Sequence, residues 1–130
     1  MKKILLLIGI GASFLLFAQD KTKPQFPGGE QQLVAFLSKN IRYPPEANKN
    51  RWQGKTLIAF FVNTDGSLSD FAVQKSSWPV LDAEALRVVK LMPKWIPATE
   101  NGKTIKEKVV LPVMFNLKMR DKGNNNQVSE

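Results

Sequence analysis

The sequence predicts a small α+β domain in which an antiparallel three-stranded sheet has helices packed on one face. The first observation is a pair of strand-like runs, residues 56–62 and 68–74, that flank Asp65-Gly66. Asp-Gly between two β-rich segments is the strongest short-range hairpin signal, because glycine adopts positive φ without a Cβ clash. The second is a helical pattern on each side of this hairpin, and the third is an alternating apolar run near the C terminus. Together they predict a sheet with helical cover.

The first strand is expected to lie in the middle of the sheet. Every residue from 57 to 62 is apolar, so we expect both faces of this strand to be covered. The hairpin places the second strand on one side, and a right-handed crossover places the third on the other, which gives the order 2-1-3. In the second strand Leu68 lies three residues before Phe71, so we expect a β-bulge at Ser69-Asp70 to bring both to the core.

Three helical segments surround these strands. Glu30 begins the first, whose apolar stripe contains Leu33, Val34, Phe36 and Leu37. Pro45 suits the first residue of a short helical turn, where a missing N–H costs nothing. The last helix follows Trp78-Pro79 and ends before Pro93, which cannot continue it. Its predicted core stripe consists of Leu81, Ala85, Val88, Val89 and Met92.

The last strand alternates between a core side and an outer side after a loop and a tight turn at Asn101-Gly102. Pro112 cannot donate to a ladder, so we expect this strand to keep at least one open edge. An open edge is both an aggregation hazard and a docking place. The core-facing residues are Val109, Leu111, Val113, Phe115 and Leu117, and the outward ones are Val110, Pro112, Met114 and Asn116.

The N terminus has the features of a secretory signal. Lys2 and Lys3 precede an apolar run that ends at Ala18, and this run is shorter than the roughly 20 residues of a membrane-spanning helix. We therefore predict a cleaved signal peptide and a periplasmic location, with an uncleaved inner-membrane anchor at residues 4–18 as the alternative. The predicted organisation is a signal peptide at 1–18, a disordered lead at 19–25, one domain at 26–118 and a flexible tail at 119–130.

Composition argues against most enzyme classes. The chain has no cysteine and no histidine, so the commonest general base, thiol nucleophile and soft metal ligands are missing. We expect no catalytic residue, cofactor or metal site. The net charge of +8 suits an acidic surface. Nucleic acid is a poor partner for an exported chain whose lysines are scattered.

Several polar and aromatic residues have simple structural interpretations. Ser76-Ser77 fits a turn or helix cap better than a serine and lysine catalytic pair. Asp82 and Glu84 lie early in the last helix, where the helix dipole favours negative charge. Three tryptophans lie at element ends, which suits half-buried rings with the N–H near water, and a binding platform is the alternative. They are Trp52, Trp78 and Trp95.

An ordered set of short motifs carries a family resemblance over roughly residues 25–118. Each motif is weak alone, but their order and spacing are specific, and they resemble the C-terminal domain of the energy transducer TonB in its Bacteroidetes-type form. The motifs are Pro27-Gly28-Gly29-Glu30, Tyr43-Pro44, Gln53-Gly54, Asp65-Gly66-Ser67, the helix beginning Leu81-Asp82-Ala83-Glu84, Met92-Pro93-Lys94-Trp95, Asn101-Gly102-Lys103 and Leu111-Pro112-Val113.

The resemblance implies a protein-binding site. In that family an extended segment of an outer-membrane receptor adds as a strand to the edge of the last strand, near the Tyr-Pro motif, by β-augmentation. From local chemistry alone, Tyr43-Pro44 fits a rigid connector between the first helix and the sheet about equally well. For the last strand the alternative is a plain edge strand that Pro112 and flanking lysines protect against aggregation. A self-associating or envelope-binding protein, with a homodimer through the last strand, is the alternative. The partner-binding residues carried over are Arg42, Tyr43, Pro44, Val110, Pro112, Met114 and Asn116.

The chain also departs from the full transducer, which has an anchor with a functional histidine and a long proline-rich arm. This sequence has no histidine. Even fully extended, at about 3.5 Å per residue, residues 19–25 would cover only about 25 Å. We therefore expect a stand-alone periplasmic module that does not reach across the periplasm from its own anchor.

Overall fold

The computed structural model describes residues 20–118, so the predicted signal peptide and tail lie outside the described residues. Among residues 20–118, no helix is long and apolar enough to cross a membrane. The helices are α1 (Glu30–Asn40), α2 (Pro45–Lys49) and α3 (Pro79–Lys90), and the strands are β1 (Gly54–Val62), β2 (Leu68–Lys75), β3 (Ala98–Glu100), β4 (Lys103–Ile105) and β5 (Glu107–Phe115).

The main sheet is antiparallel, with the order β2-β1-β5. This confirms the predicted order, since β5 is the third predicted strand. β1 and β5 pair without interruption from Gly54↔Phe115 to Val62↔Glu107. The strand ends at Phe115, so Leu117, predicted as its last core residue, follows the strand.

The hairpin between β1 and β2 forms as the sequence predicts. Gly66 has φ 87°, and Asp65 Oδ1 accepts the backbone N–H of Ser67 at 2.9 Å and its hydroxyl at 2.6 Å. These bonds lower the pKa of Asp65. The pairing shifts between Ala59 and Phe61, next to Asp70 with φ 55°, which confirms the predicted bulge.

One face of the sheet carries the core. The β1 side chains on this face, Thr56, Ile58, Phe60 and Val62, are fully buried. The predicted stripe of α3 is buried in full, and Ala47 of α2 packs in the same cluster. From α1 only Leu33, Phe36 and Leu37 pack against it, whereas Val34, predicted in the stripe, is 56% exposed.

The other face of the sheet is uncovered by any described helix. It contains the β1 side chains of Leu57, Ala59 and Phe61 and the side chains paired with them on β2 and β5, and we call it the open face. Val110 and Met114 on this face are 40% and 55% exposed. The expectation that both faces of β1 are covered is therefore wrong for residues 20–118, because α1, α2 and α3 all pack on the core side.

A second, smaller sheet lies where the sequence predicts only a loop and a turn. β3 and β4 pair across the predicted tight turn at Asn101-Gly102. Gln25 and Ile96 exchange two backbone hydrogen bonds of 2.9 and 2.8 Å, and Lys21 forms a bridge with Glu100. The expectation of a disordered lead is thus wrong for residues 20–25, because their backbone groups pair with the segment that contains β3.

Candidate protein-docking site

The outer edge of β5 is the main candidate for a docking site. β5 pairs with β1 on one side, and no other strand within residues 20–118 pairs with it on the other. An unpaired edge presents a row of backbone N–H and C=O groups that another chain can complete. The expected open edge is therefore confirmed for the described part of the chain.

Pro112 sets the hydrogen-bonding pattern of this edge. The β1–β5 ladder runs continuously through Leu57↔Pro112. Proline is tolerated in an edge strand where its nitrogen faces away from the neighbouring strand. Because alternate residues of an antiparallel strand direct their backbone groups to the same side, the groups of Lys108, Val110 and Met114 then share the outward direction of Pro112.

Tyr43 lies on the core side of the sheet, at the C-terminal end of β5. Its ring meets that of Phe115 edge to face, with centroids 6.1 Å apart and an interplanar angle of 84°. Its hydroxyl donates to the carbonyl of Trp52. Burial raises the pKa of Tyr43, and the nearby charge of Arg51 opposes that rise. The Tyr-Pro motif is therefore anchored in the core.

Glu84 holds the chain between α1 and α2 in place. This carboxylate, only 9% exposed, accepts the backbone N–H of Arg42 at 2.6 Å. It also accepts two bonds from Arg87, at 2.6 and 2.9 Å, which raise the pKa of the guanidinium. Arg87 in turn donates to the carbonyl of Asn40 at 2.8 Å. The dipole interpretation of Glu84 missed these contacts, although its spacing of three from Arg87 was a usable signal for the ion pair.

The predicted site residues do not form one patch. Val110, Pro112 and Met114 lie on the open face, opposite Ala59, Leu57 and Lys55. Tyr43 packs on the other face of the sheet. The two groups therefore lie on opposite faces of the sheet and share only the edge of β5.

The remaining three predicted residues lie beside these groups. Pro44 is half-buried at the N-cap of α2. Arg42 is exposed, and its backbone N–H bonds to Glu84. Asn116 is half-buried directly after β5, next to Leu117, whose N–H donates to Gln53 Oε1 at 3.0 Å.

Asp82 joins the start of α3 to β1 and to the segment that follows β2. It accepts the hydroxyl of Thr56 at 2.7 Å, the backbone N–H of Ser77 at 3.0 Å and the hydroxyl of Ser76. Burial acts to raise the pKa of Asp82, but these hydrogen bonds outweigh it and lower the pKa. The residue thus connects chain segments, a role that the helix-dipole interpretation did not predict.

Two of the tryptophans stack on each other at the ends of secondary-structure elements, and the third lies in the core. Trp52 and Trp78 stack with centroids 4.5 Å apart, and Trp78 Nε1 donates to the carbonyl of Gln53 at 3.3 Å. Both sit at element ends, as predicted. Trp95 is buried at 6% exposure against Phe26 and Phe60, and its indole N–H has no partner among residues 20–118.

Residues 20–118 contain no group of three or more acidic side chains that could hold a metal ion. The class that the fold and the site define is a small α+β domain with a free edge strand and helices on one face of its sheet. The family model of the Gram-negative bacterial TonB protein C-terminal region matches residues 39–117. The chain belongs to this TonB C-terminal family.

Curated relatives and solved structures are consistent with this assignment. Two proteins named TonB, from two strains of Helicobacter pylori, are 34% and 33% identical over 86 residues. Those matches cover 65% of this chain but only 28% and 29% of the relatives, so the chain spans less than a third of their length.

Two solution structures of the Helicobacter pylori TonB C-terminal domain are similar in fold. Each has a TM-score of 0.53, with 27% and 28% identity. The similarity covers 67% and 68% of this chain and 78% and 92% of those domains. This agrees with the three-stranded sheet and its one-sided helices.

Proposed function

We propose that this domain binds an extended segment of a partner protein by β-augmentation, as part of energy-coupled transport across the outer membrane. The partner class is an outer-membrane TonB-dependent receptor. The observation that carries the proposal is the outer edge of β5, which no described strand pairs with. Family membership supports the partner class, and the edge supports the binding mode.

The geometry supports a particular hydrogen-bonding pattern for the visiting strand. Outward N–H groups at Lys108, Val110 and Met114 would donate to it, and the carbonyl groups of the same residues would accept. Pro112 leaves one gap in this row of donors. The receptor carbonyl that faces Pro112 would therefore bond to water and not to β5.

Selectivity would come from the two surfaces beside the edge. Side chains of an added strand alternate between faces, so one set would meet the exposed Val110 and Met114. The other set would reach toward Tyr43-Pro44 on the core side. Glu84 acts here as a positioning residue, because it holds the backbone of Arg42 and thereby the adjoining motif.

The cell envelope is the compartment that this function requires. The family assignment supports an envelope protein, and the predicted signal at residues 1–18 supports the periplasm over an inner-membrane anchor at residues 4–18. Fractionation followed by N-terminal sequencing tests this part. A soluble periplasmic species that begins near Gln19 is expected, and a membrane-bound species that retains Lys2 would contradict it.

Amide spectroscopy tests the binding mode. Synthetic N-terminal segments of outer-membrane receptors, titrated into the ¹⁵N-labelled protein, are expected to shift amides from Lys108 to Lys118. Val110→Pro removes one outward N–H and should weaken binding about tenfold, since one hydrogen bond contributes about 0.5–1.5 kcal/mol. Val110→Thr keeps that N–H and serves as the matched control. Equal affinities for the two variants, or shifts confined to α1, would refute β-augmentation.

The same unpaired edge favours one alternative, in which two copies pair through β5. Sedimentation at high protein concentration and low salt separates the two proposals. A monomer under these conditions would exclude self-pairing, whereas a dimer that receptor segments do not dissociate would favour it.

A further inference from the structure

The open face offers a second binding surface, separate from the edge of β5. Its centre is apolar and consists of Leu57 and Ala59 from β1, Ala72 from β2 and Val110 and Pro112 from β5. Ala72, Val110 and Pro112 are exposed, Leu57 is half-buried and Ala59 is buried at 6% exposure. Unlike the core side, this surface is met by no helix of residues 20–118. A contiguous apolar area of this kind in a soluble domain marks an interaction site.

Lysines surround this apolar centre. The strand register places Lys55 opposite Met114, Lys75 opposite Leu57 and Lys108 opposite Phe61. Lys106 adds a fourth charge, with its Nζ 4.9 Å from the centroid of the Phe61 ring.

Carboxylates do not balance these charges. Among the described strand residues that the register places on the open face, none is acidic. Asp70, at the bulge, lies 3.7 Å from Lys106 and compensates that one lysine. The surface is therefore apolar in the middle and positive around it.

Neither a second copy of this chain nor its residues 119–130 suits the open face. A second copy in face-to-face contact would bring lysines against lysines, which is unfavourable across an interface. Residues 119–130 are almost entirely polar, with both signs of charge, and offer no apolar stripe to cover the centre. The occupant must be apolar on one side and acidic beside it.

Shape argues against a lipid surface. Proteins that insert into bilayers do so with protruding large side chains such as Trp, Phe and Leu. At the middle of the open face the exposed residues Ala72 and Pro112 are small, whereas Leu57 and Phe61 are half-buried and Ala59 is only 6% exposed. No large side chain protrudes there in full, so the surface can receive side chains from a partner. Strands lie about 4.8 Å apart, so the outer strands are about 10 Å apart, close to the diameter of one α-helix.

We propose that the open face docks an amphipathic helix of a partner protein, whose apolar stripe is flanked by Asp and Glu. The stripe would cover the exposed Ala72, Val110 and Pro112, and its acidic flanks would meet Lys55, Lys75 and Lys108. Helices on both faces of a sheet form a stable layered arrangement. The partner thereby supplies the layer that the described chain lacks on this side.

Two designed peptides provide the probe. Both are 18-residue helices with the same leucine and alanine stripe, one flanked by glutamate and the other by lysine. Only the glutamate peptide is expected to bind, with amide shifts on Ala59, Ala72 and Lys75. Equal binding of the two peptides, or shifts on α1 and α3, would overturn the proposal.

Substitutions on β2 separate this surface from the edge of β5. Ala72→Glu is expected to weaken binding of the glutamate peptide at least tenfold, while Ala72→Lys, of similar size, should retain it. Ala72 is exposed, so thermal unfolding of both variants should be nearly unchanged. Ala72→Glu should leave receptor-segment binding intact, because Ala72 lies on β2, which β1 separates from the edge of β5, so either proposal can fail alone.

Two further measurements examine the other occupants. Sedimentation with phosphatidylglycerol vesicles should show little binding, and ultracentrifugation should show a monomer. Vesicle binding that Ala72→Glu abolishes, without peptide binding, would assign the face to anionic lipid. A dimer that Ala72→Glu dissociates would assign it to a second copy.

Discussion

The two faces of β1 differ although they come from one uninterrupted apolar run. On the core side Ile58, Phe60 and Val62 are fully buried beneath the helices. On the open face Leu57 and Phe61 are only half-buried. An apolar strand therefore shows that both sides avoid full exposure to water, but not that its own chain covers both.

The residues of β5 explain why the helices pack on only one face of the sheet. On β5 the core positions Leu111, Val113 and Phe115 are buried, whereas the alternate positions include Pro112 and Met114, which are exposed. Across the sheet, the core side thus offers larger apolar side chains and fewer charged residues. Burial of apolar area at about 25 cal/mol per Å² favours that side for α3.

The largest difference between the faces is expected from truncation within β1. Phe60→Ala should lower the free energy of unfolding by about 3–5 kcal/mol, because it leaves a cavity in the core. Leu57→Ala on the open face should cost about 1 kcal/mol, because its side chain is half-exposed. Urea unfolding of both variants checks this, and equal losses would show that the open face is covered after all.

Two glycines at tight turns provide the next comparison, between a crowded position near the core and an open one. Gly66 and Gly102 have φ 87° and 79°, so alanine should cost about 1 kcal/mol at either from backbone strain. A Cβ at Gly66 would also lie 2.3 Å from the carbonyl oxygen of Trp95, whereas one at Gly102 meets nothing within 4 Å.

The crowding at Gly66 should add about 1–3 kcal/mol to the cost of Gly66→Ala. Thermal or urea unfolding of the two alanine variants measures the difference. Similar stabilities of the two variants would mean that the backbone around Trp95 can shift to make room for the added Cβ, and is therefore not held rigidly against the core.

Asp82 makes the core side sensitive to acid. Its pKa is lower in the folded protein than the ordinary value of 3.8, so it stabilises the fold fully above that value. The contribution is lost as pH falls through the lowered folded pKa. Asp82→Asn should cost about 1–2 kcal/mol at pH 7 and less below pH 3, as measured by urea unfolding across pH. A constant cost at every pH would contradict a role for the charge.

The smallest effect is expected at Met114 of β5, which the neighbouring core position Val113 serves to calibrate. Met114→Gln on the open face should change stability by no more than about 0.5 kcal/mol. Val113→Thr on the core side should cost about 1–3 kcal/mol, because it buries a hydroxyl. Calorimetry of the two variants compares the faces at adjacent residues, and a loss at Met114 as large as at Val113 would reverse the assignment.

Local signals account for the parts of the fold that could be predicted. Asp65-Gly66 specifies its turn through the glycine conformation, and the spacing of Leu68 from Phe71 reveals the bulge. The stripe of α3 and the effect of Pro112 on β5 are equally local. Each of these depends on residues within one turn or one strand, which sequence reasoning can compare directly.

Contacts between distant segments account for what was missed. Thr22 pairs with Thr99 through a backbone bond of 2.9 Å and their hydroxyls, and nothing in the polar lead predicts that partner. The bond from Arg42 to Glu84 likewise joins residues far apart in sequence. The division of the predicted site between two faces could not be inferred either, because Tyr43 reaches the core only through the packing of α1 and α2.

The pairing of residues 20–25 with the segment around β3 has a practical consequence for labelling. The carbonyl of Asp20 already accepts the N–H of Asn101 at 2.9 Å, so the chain is clamped from its first described residue. A fluorophore or spin label attached at this point would rotate with the globule as a whole. The anisotropy of the fluorophore would report overall tumbling and not local motion, which makes this position a sensitive site for detecting complex formation.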